Sequence, residues 1–325
     1  LREEVLKFAR SELGIGLQDR DRQEAFSADD WAKCAKFGIL RGNIPERYGG
    51  LERDTLSNAL ILEALGEGCR DQGLTLGIGA QMWTIQKPIL EFGSEEQKNE
   101  WLPRLGRGEI LAGDAITEPE AGSDVMSMRT AAVRDGEGYV LNGEKCFIGM
   151  APVADLLLTF AKTNPKAGPW GISAFLVEKG IGGFSAGRNV TKMGLRTMPM
   201  GEFVFDDCLV SESCRLGAEG SGMSLFNHAM EWERSFILCS HVGAMARQLR
   251  ECVEFARSRK QFGKPIGDFQ SVSNRIADMS VRLETCRLLL YKLAWMKQTG
   301  RTATLEATMA NLWHAESFLA SSLDA

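Results

Sequence analysis

Histidine is scarce: His228, His241 and His314 are the only three. They are too dispersed to assemble a metal site at the usual close ligand spacing, so no metal is expected. A packing role suits each, because buried or half-buried histidine is commoner than ligating histidine. The eight cysteines, at 34, 69, 146, 208, 214, 239, 252 and 286, contain no C-x-x-C pair. They read as reduced, mostly buried thiols of a cytosolic-type compartment. Long hydrophobic runs are absent too. "LLLYKLAWM" from Leu288 is interrupted by charge and falls well short of the roughly 20 residues a membrane helix needs. Net basic charge is lacking, with 38 Lys and Arg against 43 Asp and Glu. That removes any general attraction to nucleic acid or anionic membrane. No signal peptide, tandem repeat or low-complexity tract is visible. The chain opens at Leu1 without a methionine, which is compatible with a removed leader.

What remains is an ordinary globular composition, 44% apolar and 25% charged over 325 residues, enough for two or three domains. The first hundred residues read as helices. "SADDWAKCAKFGIL" has Ser27 as N-cap before acidic residues, "SEEQKNEWLPRL" repeats the device at Ser94, and "LSNALILEALGEG" has near-helical apolar spacing and a glycine finish. From about Leu111 the texture changes. "RTAAVRDGEGYVLNGEKCFI" carries turn signals at Asp135-Gly136 and Asn142-Gly143, and "ADLLLTFA" and "GISAFLVE" follow as strands. After "LGAEGSGM" long helices return, from about Ser221 to Arg257, from about Ser271 to Gln298, and from near Thr304. Such helices favour an antiparallel bundle. The expected class is α+β, mostly α, with a helical domain over 1–112, a β-domain over 113–216 and a helical bundle over 217–325. The last helix still runs at Ala325, so a further C-terminal piece is expected.

In "AMEWERSF", residues 229–236, two glutamates flank a tryptophan. At about 100° per residue, Phe226, Ala229, Met230, Phe236, Ile237, Ser240 and Ala244 fall within about 60° of Glu233, while Glu231 points about 160° away. Glu233 therefore sits on an apolar stripe. Two readings follow. One is a buried carboxylate bonded to an arginine, Arg234 or one from another helix. The other is a desolvated carboxylate whose raised pKa suits proton abstraction.

"AITEPEAGSD", residues 115–124, offers the hydroxyls of Thr117 and Ser123 and, at Gly122, close backbone access. The same residue types also make a plain turn. This loop resembles the T-E-P-x-A-G-S-D signature of the acyl-CoA dehydrogenase family. "PERYGG" from Pro45, "LNGEKCFIG" from Leu141 and "ARSRKQFGKPIGDFQ" from Ala256 follow in that family's order, and the resemblance spans essentially the whole chain.

The resemblance implies an N-terminal helical domain, a central β-domain, a C-terminal four-helix bundle, a homotetramer and bound FAD. It places Ile116 and Thr117 at the flavin pyrimidine edge, with Gly122 beside them. Ser123 falls at the pyrophosphate or thioester, and Phe147, Ile148 and Gly149 at the isoalloxazine. Arg259 and Phe262, with Gln270 close by, reach FAD from a neighbouring subunit; on residue type alone Arg259 reads as a solvated charge at a helix end. Ser123, Met230 and Arg234 fall on the substrate side. The implied chemistry is removal of the α-proton of an acyl thioester with hydride transfer to flavin N5. Most family members carry the base nearer the C-terminus. A minority resembling isovaleryl-CoA dehydrogenase carry it on the first bundle helix before an arginine, and "EWERS" matches them with Glu233 as base. Where the family has tryptophan and, two residues later, a hydroxyl residue, this chain has Phe147 and Gly149.

"EKCFIGMAPVAD" combined with "EWER" resembles the branch acting on carrier-protein thioesters, such as prolyl groups in natural-product pathways. Rival expectations are a short- or branched-chain acyl-CoA dehydrogenase, an oxidase or monooxygenase on the same fold, and a non-catalytic scaffold. The electron acceptor implied is an electron-transfer flavoprotein or oxygen, and the compartment cytoplasmic.

Overall fold

A computed structural model describes residues 1–325. The N-terminal part is helical: α1 (Arg2–Glu12), α2 (Leu17–Gln23), α3 (Ala28–Phe37), α4 (Thr55–Gly68), α5 (Gln72–Ala80), α6 (Lys87–Phe92) and α7 (Glu95–Gly106). Their starts follow local chemistry. The Ser27 hydroxyl accepts from the Asp30 amide at 3.2 Å. Ser94 forms a capping box in which its hydroxyl accepts from Gln97 N and the Gln97 side chain accepts from Ser94 N. A π-helical turn, Gln81–Gln86, joins α5 to α6, a wide-turn form that recurs at functional sites.

The middle part is a sheet of β1 (Ala112–Ala115), β2 (Ala131–Asp135), β3 (Gly138–Gly149), β4 (Leu156–Lys162), β5 (Ile172–Glu178), β6 (Phe184–Asn189), β7 (Met200–Ser211) and β8 (Arg215–Leu216). Its order is β6-β7-β3-β2-β4-β5-β8, with β1 parallel to β4. The Asp135-Gly136 signal marks the β2–β3 hairpin, where Gly136 has φ +56°. Asn142-Gly143 is not a turn. It lies inside β3 at a register shift against β7, where a Cβ on Gly143 would fall 2.4 Å from Thr130 Oγ1. The Asn142 side chain ties that bulge to Asp207, accepting from its amide at 2.8 Å.

The C-terminal part comprises α8 (Gly222–Phe236), α9 (Cys239–Ser258), a two-stranded ribbon of β9 (Lys260–Gln261) and β10 (Lys264–Pro265), α10 (Gln270–Gln298) and α11 (Thr304–Asp324). The single helix expected from Ser221 to Arg257 is thus two. Its ladder breaks at Ile237 and Leu238, and Leu238 O restarts it by accepting from Val242 N at 3.2 Å. Periodicity persists through the break because Ser240 and Ala244 are buried like Ala229 and Phe236, which is why pattern alone does not register it.

Contacts divide the chain into two compact units. The first, 1–15, 54–79 and 233–325, packs α4 against α9 at backbone distance. A Cβ added to Gly66 would lie 1.8 Å from Ser240 O, and one on Gly243 would lie 1.9 Å from Glu63 O. Glu63, fully buried, is held by Arg287 Nε at 2.8 Å and Tyr291 OH at 2.6 Å from α10. The second unit, 16–53 and 80–232, carries the sheet with an apolar core on each face. Leu102, Leu158, Phe160 and Leu225 belong to one core, and Tyr139, Phe175, Phe203 and Val210 to the other. No helix is long and apolar enough to cross a membrane.

Because no side chain fits between α4 and α9 at these points, Gly243→Ala is expected to destabilise by about 1–3 kcal/mol or more through overpacking. Denaturant unfolding of the variant beside the parent measures it; an unchanged midpoint contradicts the contact.

Candidate active site

In the second unit the loop after β1 turns its carbonyls inward. Ala115 O accepts from Thr159 Oγ1 at 3.1 Å, Ile116 O from Lys145 Nζ at 3.1 Å, and Thr117 O from Cys146 N at 2.9 Å. Glu118 and Ala121 then exchange both backbone bonds. Beneath this turn lies an ion pair that residue typing missed: Lys145 Nζ sits 2.7 Å from Glu118 Oε1, with side chains 0% and 4% exposed. Glu118 also accepts from the amides of Arg129 and Thr130. Burial works against the Glu118 charge, but the Lys145 ammonium and these hydrogen bonds outweigh it and hold the carboxyl below its usual range. Burial pulls the Lys145 ammonium down as well, opposed by Glu118.

The carbonyls of Ala115, Ile116 and Thr117 are thus occupied. Ile116 and Thr117 are half-buried, and Gly122 and Ser123 are exposed. A Cβ at Gly122 would meet nothing within 4 Å. Beside the loop, β3 is irregular. Phe147 takes φ +57° and Met150 φ +66°, conformations that strain side-chain-bearing residues and concentrate at functional sites. Alternation fails there: Lys145 and Cys146 are both buried, and Phe147 is then 60% exposed. Ile148, expected at the flavin, instead buries its side chain in the core beside Leu157 and Phe203, so it can offer only backbone. Gly149 is half-buried, with Met198 Cε 2.8 Å from where its Cβ would stand.

Trp232 in α8 is fixed from several sides. It stacks on Trp83 of the π-helical turn at 5.7 Å with 4° between planes, lies under Lys87 Nζ at 4.2 Å, and donates its indole N–H to His228 Nε2 at 3.1 Å. The Glu91 carboxylate is 3.9 Å from the same His228 nitrogen. The apolar stripe hid this cluster, since its tryptophans look like ordinary core. Met230 on the same helix is half-buried.

In the first unit, Glu233 is half-buried on the last turn of α8, its carbonyl accepting from Ile237 N at 2.8 Å where the helix ends. The apolar stripe is buried at Ala229, Phe236, Ser240 and Ala244, but the expected desolvated carboxylate is only half-buried, and Arg234 is exposed. The β9–β10 ribbon lifts Phe262 to 93% exposure. Phe262 and Gly263, at φ +53° and +79°, are the paired left-handed residues a two-residue hairpin needs. Phe269 meets Phe262 edge-on at 6.0 Å. Arg259 and Gln270 are exposed at the ribbon's base. Exposed guanidinium and phenyl groups have the chemistry to clasp a pyrophosphate and stack on an adenine, and the loop hydroxyls can hydrogen-bond a flavin edge. The residues present fit a flavin dinucleotide.

The Glu118–Lys145 pair makes a pH-dependent claim. A carboxyl depressed in the folded state stabilises above its unfolded value of roughly 4.3, and that contribution is lost as pH falls through the folded value. Lys145→Met leaves the Glu118 charge buried alone, at a cost of about 3–5 kcal/mol. Urea midpoints should therefore separate parent and variant widely at neutral pH and converge below roughly pH 4. A gap independent of pH contradicts the pair.

Family models match along the chain: the acyl-CoA dehydrogenase N-terminal domain over residues 1–109, its middle domain over 113–208 and its C-terminal domain over 220–323. An L-prolyl peptidyl-carrier-protein dehydrogenase from Serratia sp. (strain ATCC 39006) is 42% identical over 323 residues, covering 99% of this chain and 84% of that protein. Among solved structures, the prolyl acyl carrier protein oxidase AnaB superposes with a TM-score of 0.98 at 45% identity, covering 99% of this chain and 85% of that one. PigA with FAD and proline superposes at 0.96 with 41% identity, covering 99% and 84%. The chain belongs to the acyl-CoA dehydrogenase family, with its N-terminal helical, middle β and C-terminal helical domains.

Proposed function

We propose that this chain is an FAD-dependent dehydrogenase of an acyl thioester, acting on a prolyl group tethered to a carrier protein. The observation that carries the reading is similarity over 99% of the chain to proteins named for that substrate. Glu233 ahead of Arg234 supports the α-proton chemistry, which carrier-protein and CoA thioesters share. FAD, when bound, supplies the hydride acceptor. Ile116, Thr117 and Ser123 hold it from the second unit, with Gly122 admitting close approach and Phe147 and the backbone of Ile148 and Gly149 alongside. As the family resemblance implies, Arg259, Phe262 and Gln270 hold the dinucleotide end of an FAD bound to a neighbouring subunit.

Glu233 takes the proton from the carbon next to the thioester carbonyl. Its half-buried place on the last turn of α8 is compatible with a general base. Met230, one turn earlier in α8, bounds the acyl group, Arg234 lies on the same side, and Trp232, locked by Trp83, Lys87 and His228, fixes the rotation of the helix that carries the base. An ordinary acyl-CoA substrate is the alternative, distinguished by comparing CoA and carrier-protein thioesters of the same acyl group.

The acceptor that reoxidises the flavin is an electron-transfer flavoprotein or oxygen. Gly149, which lacks the hydroxyl that the family places there, leaves oxygen open as a second reading; peroxide formed during turnover tests it. A homotetramer is the proposed assembly. It rests on the family resemblance.

Glu233→Gln should retain FAD yet slow anaerobic flavin bleaching by prolyl carrier thioester about 10²–10⁴-fold; bleaching at the parent rate moves the base elsewhere. Arg259→Ala should weaken FAD retention by roughly 10–100-fold, read by flavin occupancy against dialysis, and unchanged occupancy removes Arg259 from the cofactor site.

A further inference from the structure

Where α1 and α4 end against the middle of α9, all within the first unit, arginine accumulates beyond what carboxylates can match. Glu67, 8% exposed, receives Arg2 at 2.6 Å, Arg10 at 3.3 Å and Arg250 at 2.7 Å. Arg70 pairs with Glu251 at the rim. Arg247, 8% exposed, turns Nη1 onto the carbonyls of Gly66 at 2.6 Å and Cys69 at 2.8 Å, which occupies that nitrogen without supplying a counter-charge. Burial, and then the nearby Arg70 charge, pull the Arg247 guanidinium below its usual value.

Five guanidinium groups thus face two carboxylates. The C-termini of α1 and α4 point here and together offset about one unit of positive charge, leaving an excess of about two. Between these groups lies a cleft of about 240 Å³, lined by Arg10, Arg70, Arg247, Arg250, Glu67 and Glu251 among others. That is room for roughly eight waters, or for a tetrahedral oxyanion with part of its hydration. Guanidinium forks match phosphate oxygens bidentately.

We propose that this cleft is a binding site for a phosphate-type dianion, separate from Glu233 and from the residues assigned to FAD. A small dianion there ties the N-terminal helix α1 and the segment after α4 to α9, because Arg10, Arg70 and Arg250 line the cleft from those three places. Free phosphate and the phosphate of a small monoester share this chemistry.

The flavin-loaded protein is titrated with inorganic phosphate by calorimetry, with ionic strength held constant by sodium chloride, beside AMP and glycerol 3-phosphate. Using loaded protein keeps the dinucleotide residues occupied. The expected result is saturable phosphate binding that weakens about tenfold or more in Arg70→Gln and in Arg250→Lys. Arg70 is 65% exposed, so its replacement leaves the fold intact, and lysine at 250 keeps a cation for Glu67. Tighter binding of either monoester supports the site with a phosphoester as its ligand, and equal or weaker monoester binding supports it with phosphate itself. Heats matching the chloride control, or affinity unchanged in both variants, overturn it.

Discussion

The buried pair of Glu118 and Lys145 is the constraint on which the loop after β1 depends. One carboxylate anchors the turn to β3 through Lys145 and to the start of β2 through the amides of Arg129 and Thr130, and the same ammonium pins Ile116 O. Two opposite charges out of water hold each other in place only if their remaining hydrogen bonds are filled, and here they are filled by the backbone of the loop being positioned. The geometry of Ile116 and Thr117 is therefore an electrostatic product of residues that present nothing outward.

The helical side uses a different means. α4 and α9 meet through glycines, so their separation is set by backbone contact, and side-chain packing has little freedom to alter it. α8 stops at Phe236 and α9 restarts at Cys239, and Glu233 occupies the final turn before that interruption. A carboxylate placed there is carried by a helix end.

Much of this was readable beforehand, and the physical reasons differ by residue. Ser27 and Ser94 act through their immediate neighbours, so their caps were visible in the string. Asp135-Gly136 was a local turn, whereas Asn142-Gly143 carries the same local signal inside a strand because Thr130 and Asp207 decide its role from elsewhere in the chain. The apolar stripe around Glu233 located a helix face but neither its partial exposure nor the break beyond it. The loop motif named a family through Thr117, Gly122 and Ser123, while the residue that fixes the loop, Lys145, sits in a strand 28 positions after Thr117, inside "LNGEKCFIG", where nothing local assigns it a role. The Trp83–Trp232 stack was equally silent, since long-range pairing leaves no periodic trace.

All eight cysteines are free thiols, and burial raises those of Cys146, Cys208, Cys239 and Cys286. Peroxide attacks the thiolate and hardly touches the protonated form. Sulfur held protonated inside the core therefore offers an oxidant little to react with, a passive chemical resistance achieved by packing alone.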